Sequence, residues 1–296
     1  MVVIKAWAGL GNKMFQYALY KSFLYKGLEA VLDEWTHIPK RSHEIIILKD
    51  IFPNLNYKTA EKTLINKLNE NKNDFLSRIR RKIYRMLKIQ ISYSPNHIID
   101  ESFAFNKNIF GLNGNYYLEG FWQSEKYFED IKETIKKDFE FPSIHDKQNN
   151  ELLNELKSVK SVSIHIRKGK DYKKPLFSGT CGLDYYVQAI NTIKSQIENP
   201  KFYIFSDNFE WCKENLSFCD PVYVDWNSTY GPLNYLDMQL MSNCKHNIIA
   251  NSSYSWWGAW LNKNPNKIVI GPKKWFNSSS EKFDSSDIIP ENWTKL

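Results

Sequence analysis

The chain has 296 residues, of which 42% are apolar and 25% charged, with a formal net charge of +7. That is a globular composition with room for one large α/β domain or two of ordinary size, and no stretch approaches the run of about 18 apolar residues that spans a bilayer. Residues 58–90 hold ten Lys or Arg and three Asp or Glu, which accounts for the whole net charge, so the protein carries one basic patch rather than a generally basic surface.

Val2–Trp7 reads as a buried first strand, and Met1 opens directly into it, with no secretory signal expected ahead of the fold. A-G-L-G-N at 8–12 is a tight glycine turn. Residues 13–26 follow as a helix with Met14, Phe15, Ala18, Leu19, Ser22 and Phe23 on one face. Strand, glycine turn and helix N-terminus make an anion or sugar site, because free backbone N–H groups point out of the turn. Asn12 stands where an N-cap would, so capping and ligand contact compete for its amide. Residues 30–33 read as a second strand and 45–48 as a short one. His37 and His43 read as surface histidines.

In the basic segment, Phe75, Ile79, Ile83, Met86 and Leu87 share one helical face, with Arg78, Arg80, Arg81, Lys82, Arg85 and Lys88 over the rest. The expected use of that apolar face is packing on its own domain. The alternative is an anionic membrane surface, through residues 75–88, or a lipid-linked acceptor. RNA binding ranks last, because no aromatics are interleaved at stacking spacing. Residues 115–119 are strand-like, a helix spans about 124–139, and the polar stretch 142–150 is the expected boundary between domains 1–150 and 151–296.

From there strand and helix alternate. Strands are expected at 161–167, 201–206, 222–224, 246–250 and 267–271, with helices at 183–198, 208–216, 232–243 and 253–262. Such units build a parallel sheet with helices on both faces. The tail holds Trp275, Phe276 and Trp293 and is expected to pack.

Chemistry concentrates at the strand ends, where open α/β sheets bind ligands. S-V-S-I-H-I-R-K-G-K-D at 161–171 places His165, Arg167 and Asp171 at one such end. The chain has 34 Lys and 6 Arg, and Arg167 is the only Arg beyond Arg85. A guanidinium grips phosphate bidentately where an ammonium acts as a point charge. Asp207, three residues before Glu210, fits a capping box. Asn251, Ser252, Ser253, Tyr254 and Ser255 open a helix with more small polar groups than a cap requires, as a phosphate site would. Trp256 and Trp260 read as core. There is no D-x-D pair, no metal-ligand cluster, no Walker A and no G-x-S-x-G, so a bound diphosphate is expected to be met by protein groups without a metal. Cys181, Cys212, Cys219 and Cys244 show no C-x-x-C pair and read as reduced thiols of a cytosolic protein.

G-L-G-N-K-M-F-Q-Y-A at 9–18, Y-L-E-G-F-W-Q-S-E-K-Y-F at 117–128, S-I-H-I-R-K-G at 163–169, L-D-Y-Y at 183–186, F-Y-I-F-S-D-N at 202–208 and A-N-S-S-Y-S-W-W-G-A-W-L at 250–261 together resemble the bacterial α-1,2-fucosyltransferases. The resemblance implies a GT-B-like pair of facing Rossmann-type domains, the second holding the nucleotide. It implies GDP-L-fucose as co-substrate with no further cofactor, a terminal galactose as acceptor, and inversion at the anomeric carbon. Arg167 matches the family's diphosphate-gripping Arg. The family pattern H-x-R-R-x-D is altered here, with Lys168 in place of the second Arg and Lys170 preceding a displaced Asp171; H-x-R-x-G-x-D looks more like the protein O-fucosyltransferases. By the wider resemblance Asp237 would recognise the guanine edge, Ser252–Ser255 the phosphates, with His165 and Asp207 on the donor side, and Asn12 the fucose–phosphate region. Asp171, Glu119 and Asp33 are the carboxylates at strand ends that could take the acceptor's proton, the alternative being a weak or absent base in a strongly dissociative transition state. The alternatives are a fucosyltransferase of different linkage, use of another sugar nucleotide, and a nucleotide- or glycan-binding protein without catalysis.

Overall fold

Two separate parallel sheets form the frame. A computed structural model describes residues 1–35, 47–69, 75–86, 94–100, 102–278, 280 and 283–296. The first half contains β1 (Val2–Lys5), α1 (Leu10–Tyr25), β2 (Ala30–Asp33), α2 (Leu48–Ile51), α3 (Lys62–Leu68), α4 (Phe75–Met86), β3 (His97–Ile99), β4 (Tyr116–Glu119) and α5 (Lys132–Asp138). The second contains α6 (Lys147–Ser158), β5 (Ser161–Ile166), α7 (Leu183–Gln196), β6 (Lys201–Ser206), α8 (Phe209–Leu216), β7 (Val222–Tyr223), α9 (Leu236–Asn243), β8 (His246–Ile248), α10 (Ser253–Trp260), β9 (Val269–Gly271) and β10 (Thr294–Lys295). Strand order is β2-β1-β4-β3 in the first sheet and β10-β9-β8-β5-β6-β7 in the second. Every pair is parallel, with Ile4 opposite Leu32 and Leu118, and Ile164 opposite Ile204 and Ile248. Parallel strands covered on both faces need apolar side chains in both directions, which V-V-I, I-H-I and F-Y-I-F supply.

Several elements differ from expectation. Half of the short strand expected at 45–48, residues 45 and 46, lies outside the described residues, as do His37 and His43, and Leu48 opens a helix instead. Residues 124–139 are two pieces, a 3-10 stretch Glu125–Ile131 with non-helical Phe128 and then α5. The expected boundary at 150 falls inside α6, which Asp146 caps through Asn149 N. Leu87, Lys88 and the Phe75 side chain lie outside the described set, and the described residues of the apolar stripe are not packed inward: Ile79, Ile83 and Met86 are exposed.

One aromatic core joins the halves. Phe15 on α1 lies 4.6 Å from Trp256 and 4.8 Å from Trp257 on α10, and Phe128 stacks on Trp257 at 5.5 Å. Trp256 and Trp260 are buried, as are Trp275 and Trp293 of the tail. The tail also returns to the first half: Phe103 N donates to Asp284 O, and Lys126 pairs with Asp287 at 2.5 Å. This packing brings the C-terminal ends of β1, β4 and β5 and the start of α10 to one cleft.

Candidate active site

The cleft encloses about 700 Å³ and is lined from both halves. From the first come the turn Ala8–Asn12, Phe103, Phe121 and Gln123; from the second, Arg167, Tyr172, Asn251–Tyr254, Trp275 and Phe276.

The first turn of α10 opens on the cleft. Ser252 is the N-cap residue, in an extended conformation and without a side-chain cap bond. The first intrahelical bond runs from Trp256 N to Ser252 O at 3.0 Å, so the N–H groups of Ser253, Tyr254 and Ser255 precede the helix's own acceptors. Their direction and the helix dipole favour negative charge. The side chains mostly brace the mouth. Tyr254 OH donates to Asn234 O and accepts from Met238 N; Ser255 is buried; Asn251 Nδ2 donates to Trp275 O.

Arg167 stands across from this mouth. Its Nε lies 3.1 Å from Asp207 Oδ2, without an N–H aligned on the oxygen. The contact is therefore a charge pair rather than a directed hydrogen bond. The guanidinium also rests 5.0 Å from the Tyr172 ring centroid. About a third of the Arg167 side chain stays exposed (32%), against 19% for Asp207, so the pair does not withdraw the guanidinium from the cleft.

Asp207 works from behind. Its Oδ1 accepts from Lys168 N at 2.7 Å and Gly169 N at 3.0 Å. A Cβ on Gly169 would lie 2.6 Å from Asp207 Oδ2, so glycine lets the carboxylate come this close. The expected capping box is absent; Asn208 caps α8 through Trp211 N. Lys168 turns away from the cleft, its Nζ on Cys181 O and over the Trp211 ring, and burial lowers its pKa. Lys168 therefore does not supply the missing second guanidinium. Asp171 sits in the 3-10 turn Lys170–Lys173, its side chain outside the described set.

His165 is buried, its ring 5.8 Å from that of Tyr254, and its Nδ1 has no partner among the described residues. Burial, with the neighbouring Arg167 charge, pushes its pKa down to about 3. The imidazole is neutral, and positive charge at this strand end resides on Arg167. Asp237 lies on α9 behind Tyr254, its Oδ1 accepting from Asn227 Nδ2 at 2.8 Å, and burial raises it to about 6. It is not part of the cleft wall.

Asn12 faces this group from the first half. The N-cap of α1 is Gly9, whose carbonyl accepts from Asn12 N, so Asn12 is inside the helix and not its cap. Its Oδ1 accepts from Gln123 Nε2 at 2.6 Å, which leaves its Nδ2 for the cleft. Gln123 was not singled out by sequence reasoning. It is buried, and its Oε1 has no partner among the described residues. Its only sequence signal was its place just past a strand end in G-F-W-Q. Two of the carboxylates weighed as bases are engaged elsewhere. Glu119 is buried against Lys5 at 2.7 Å and His97 at 3.3 Å; Asp33 accepts from Tyr117 OH at 2.6 Å. Among the described residues no group of three His, Cys, Asp or Glu could hold a metal.

A family model described as Glycosyl transferase family 11 matches residues 1–296. The chain is similar to an α-1,2-colitosyltransferase of Escherichia coli, at 33% identity over 316 residues, covering 100% of this chain and 99% of that protein. It is similar to galactoside α-(1,2)-fucosyltransferase 1 of Homo sapiens, at 28% identity over 160 residues, covering 49% of this chain and 42% of that protein. Among solved structures, NodZ α-1,6-fucosyltransferase soaked with GDP-fucose shares the fold with a TM-score of 0.51 at 14% identity, over 88% of this chain and 92% of that one. The fold is GT-B-like.

Proposed function

The chain belongs to glycosyl transferase family 11, and from that we propose that it moves L-fucose from GDP-L-fucose to the 2-hydroxyl of a terminal galactose in a glycan, with inversion and without a metal. The observation that carries this reading is the meeting of Arg167, the α10 mouth and Asn12 on one cleft. The acceptor oxygen bonds to C1 as the C1–O bond to the β-phosphate breaks, its electron pair leaving with GDP. Arg167 and the N–H groups of Ser253–Ser255 stabilise that charge as it builds, where preorganised donors act most strongly. Asn12 Nδ2 orients the fucose–phosphate link. Asp171 takes the acceptor proton, since Glu119 and Asp33 serve buried pairs. Buried, unpaired Cys181, Cys212, Cys219 and Cys244 suit a reducing cytoplasm.

A second reading has its own support. Colitose is L-fucose without its 3-hydroxyl, and a relative that aligns over the whole chain is named for it. One experiment separates the readings: incubation with lactose and either GDP-fucose or GDP-colitose, with and without EDTA, and NMR of any product. An α-1,2-linked fucosyl lactose formed equally with EDTA supports the proposal. Product from GDP-colitose alone moves the donor to the deoxy sugar. Strict metal dependence, or GDP binding with no product or hydrolysis, defeats the proposed reaction.

A further inference from the structure

Helix α4 is mounted with its burial inverted. Ile79, Ile83 and Met86 follow one another at i, i+4 and i+7, one stripe of the helix. Yet they are 40%, 46% and 74% exposed. Ser77 and Tyr84, which fall on the opposite face, are half-buried. An ordinary surface helix does the reverse. The same segment holds Arg78, Arg80, Arg81, Lys82 and Arg85 and no Asp or Glu. By helical spacing Arg78 and Lys82 fall on one side of the apolar stripe and Arg80 on the other.

We propose that α4 is a bilayer-docking helix that lies flat on an anionic lipid surface, its isoleucines at the acyl boundary and its flanking cations among headgroup phosphates. Cations on both sides of the stripe require an occupant apolar at its centre and negative at both edges. A sheet of anionic headgroups over acyl chains has that profile in every direction. A second copy of this chain would set five cations against five, so charge opposes self-pairing through this face. No helix among the described residues is long and apolar enough to cross a membrane, so the attachment is peripheral. The proposal does not depend on which sugar is moved.

The test is flotation of the full chain with vesicles of phosphatidylcholine alone and of phosphatidylcholine mixed with phosphatidylglycerol. The chain should float with the anionic vesicles only. Recovery should fall as ionic strength rises from about 0.1 M to about 1 M, which shortens the screening length from about 10 Å to about 3 Å. The double variant Ile79→Asp/Ile83→Asp should lose about tenfold in partitioning with its thermal melt unchanged, and Arg80→Glu/Arg81→Glu should lose the preference for anionic lipid. The proposal fails if the wild-type chain stays unbound to both vesicles, if the double isoleucine variant floats like wild type, or if heparin retains the chain while no vesicle does.

Discussion

The first turn of α1 and the first turn of α10 touch backbone to backbone at Gly11 and Ser253. A Cβ on Gly11 would lie 2.6 Å from both the carbonyl carbon and the oxygen of Ser253, and 2.8 Å from Tyr254 N. None of those atoms can swing aside as a side-chain tip could. Trp257 Nε1 fastens the contact by donating to Gly11 O at 2.9 Å. One glycine thus sets the spacing between the two halves of the cleft.

Gly11→Ala should therefore wedge α1 from α10. Overpacking of this kind costs roughly 1–3 kcal/mol, and a displacement near 1 Å at a reacting centre costs on the order of 100-fold in rate. Fucosyl transfer should fall by about that factor while the chain still folds, checked by steady-state kinetics beside thermal unfolding. Gly111→Ala is the control, since nothing lies within 4 Å of the added carbon, and it should keep turnover.

That the glycine turn at 8–12 would stand at a strand end on the cleft was legible because strand, glycine and helix follow in order; that Gly11 makes the inter-half contact was not, because its partner lies some 240 residues away. Arg167 was legible because it is the only Arg beyond Arg85 in a lysine-rich chain, and the 251–255 run because it holds more small polar groups than a cap requires. Their chemistry depends on strand ends, and the strand ends followed from alternation. The roles of Asp207 and Lys168 were not legible. Which carboxylate backs a guanidinium is set by the parallel register of β5 beside β6, where Ile166 pairs with Ser206. The exposure of Ile79 and Ile83 also contradicts what their spacing suggests, since periodicity reports a shared face and not what covers it.

Arg167 and Asp207 should respond differently to substitution. Arg167→Lys keeps the charge and loses the planar fork, so turnover should drop on the order of 100- to 1,000-fold with the fold intact. Asp207→Asn keeps an acceptor for Lys168 N and Gly169 N and removes the charge behind the guanidinium. Its loss should be nearer tenfold, the effect of about 1.5 kcal/mol. Near-wild-type turnover by the lysine variant would remove Arg167 from the reaction.

His165 makes a prediction about pH. Its folded pKa is about 3, against about 6.5 in an unfolded chain. Between those values the unfolded state binds the proton and the folded state does not, so stability falls as pH falls through the window, by up to about 1.4 kcal/mol per unit. Above about pH 6.5 the histidine has no such effect. Asp100, raised to about 7, and Asp237, raised to about 6, act in the opposite sense, losing stability as pH rises from the ordinary carboxylate range. Comparing wild type with His165→Asn cancels those carboxylates. Between pH 6.5 and pH 5 the wild type should lose about 2 kcal/mol relative to the variant, as read by urea denaturation at each pH. A constant difference would place the proton elsewhere.

Gln123 lines the cleft beside Asn12, which makes it the side chain to test for a contact with the transferred sugar. Its Nε2 is committed to Asn12 Oδ1 at 2.6 Å, while its Oε1 is buried without a partner among the described residues. An unmet buried acceptor costs about 1–3 kcal/mol, and a hydroxyl of the transferred sugar would recover it. Sites built to bond a hydroxyl discriminate strongly against an analogue that lacks it. If that hydroxyl is the 3-hydroxyl, wild type should prefer GDP-fucose to GDP-colitose, and Gln123→Leu should lose roughly 10- to 100-fold in kcat/KM with the first donor and much less with the second. The ratio of the two kcat/KM values is the measurement, because a fault in folding or in Asn12 would lower both together. An equal loss with both donors would reduce Gln123 to a prop for Asn12. A collapsed ratio would make this glutamine the group that distinguishes fucose from its 3-deoxy relative.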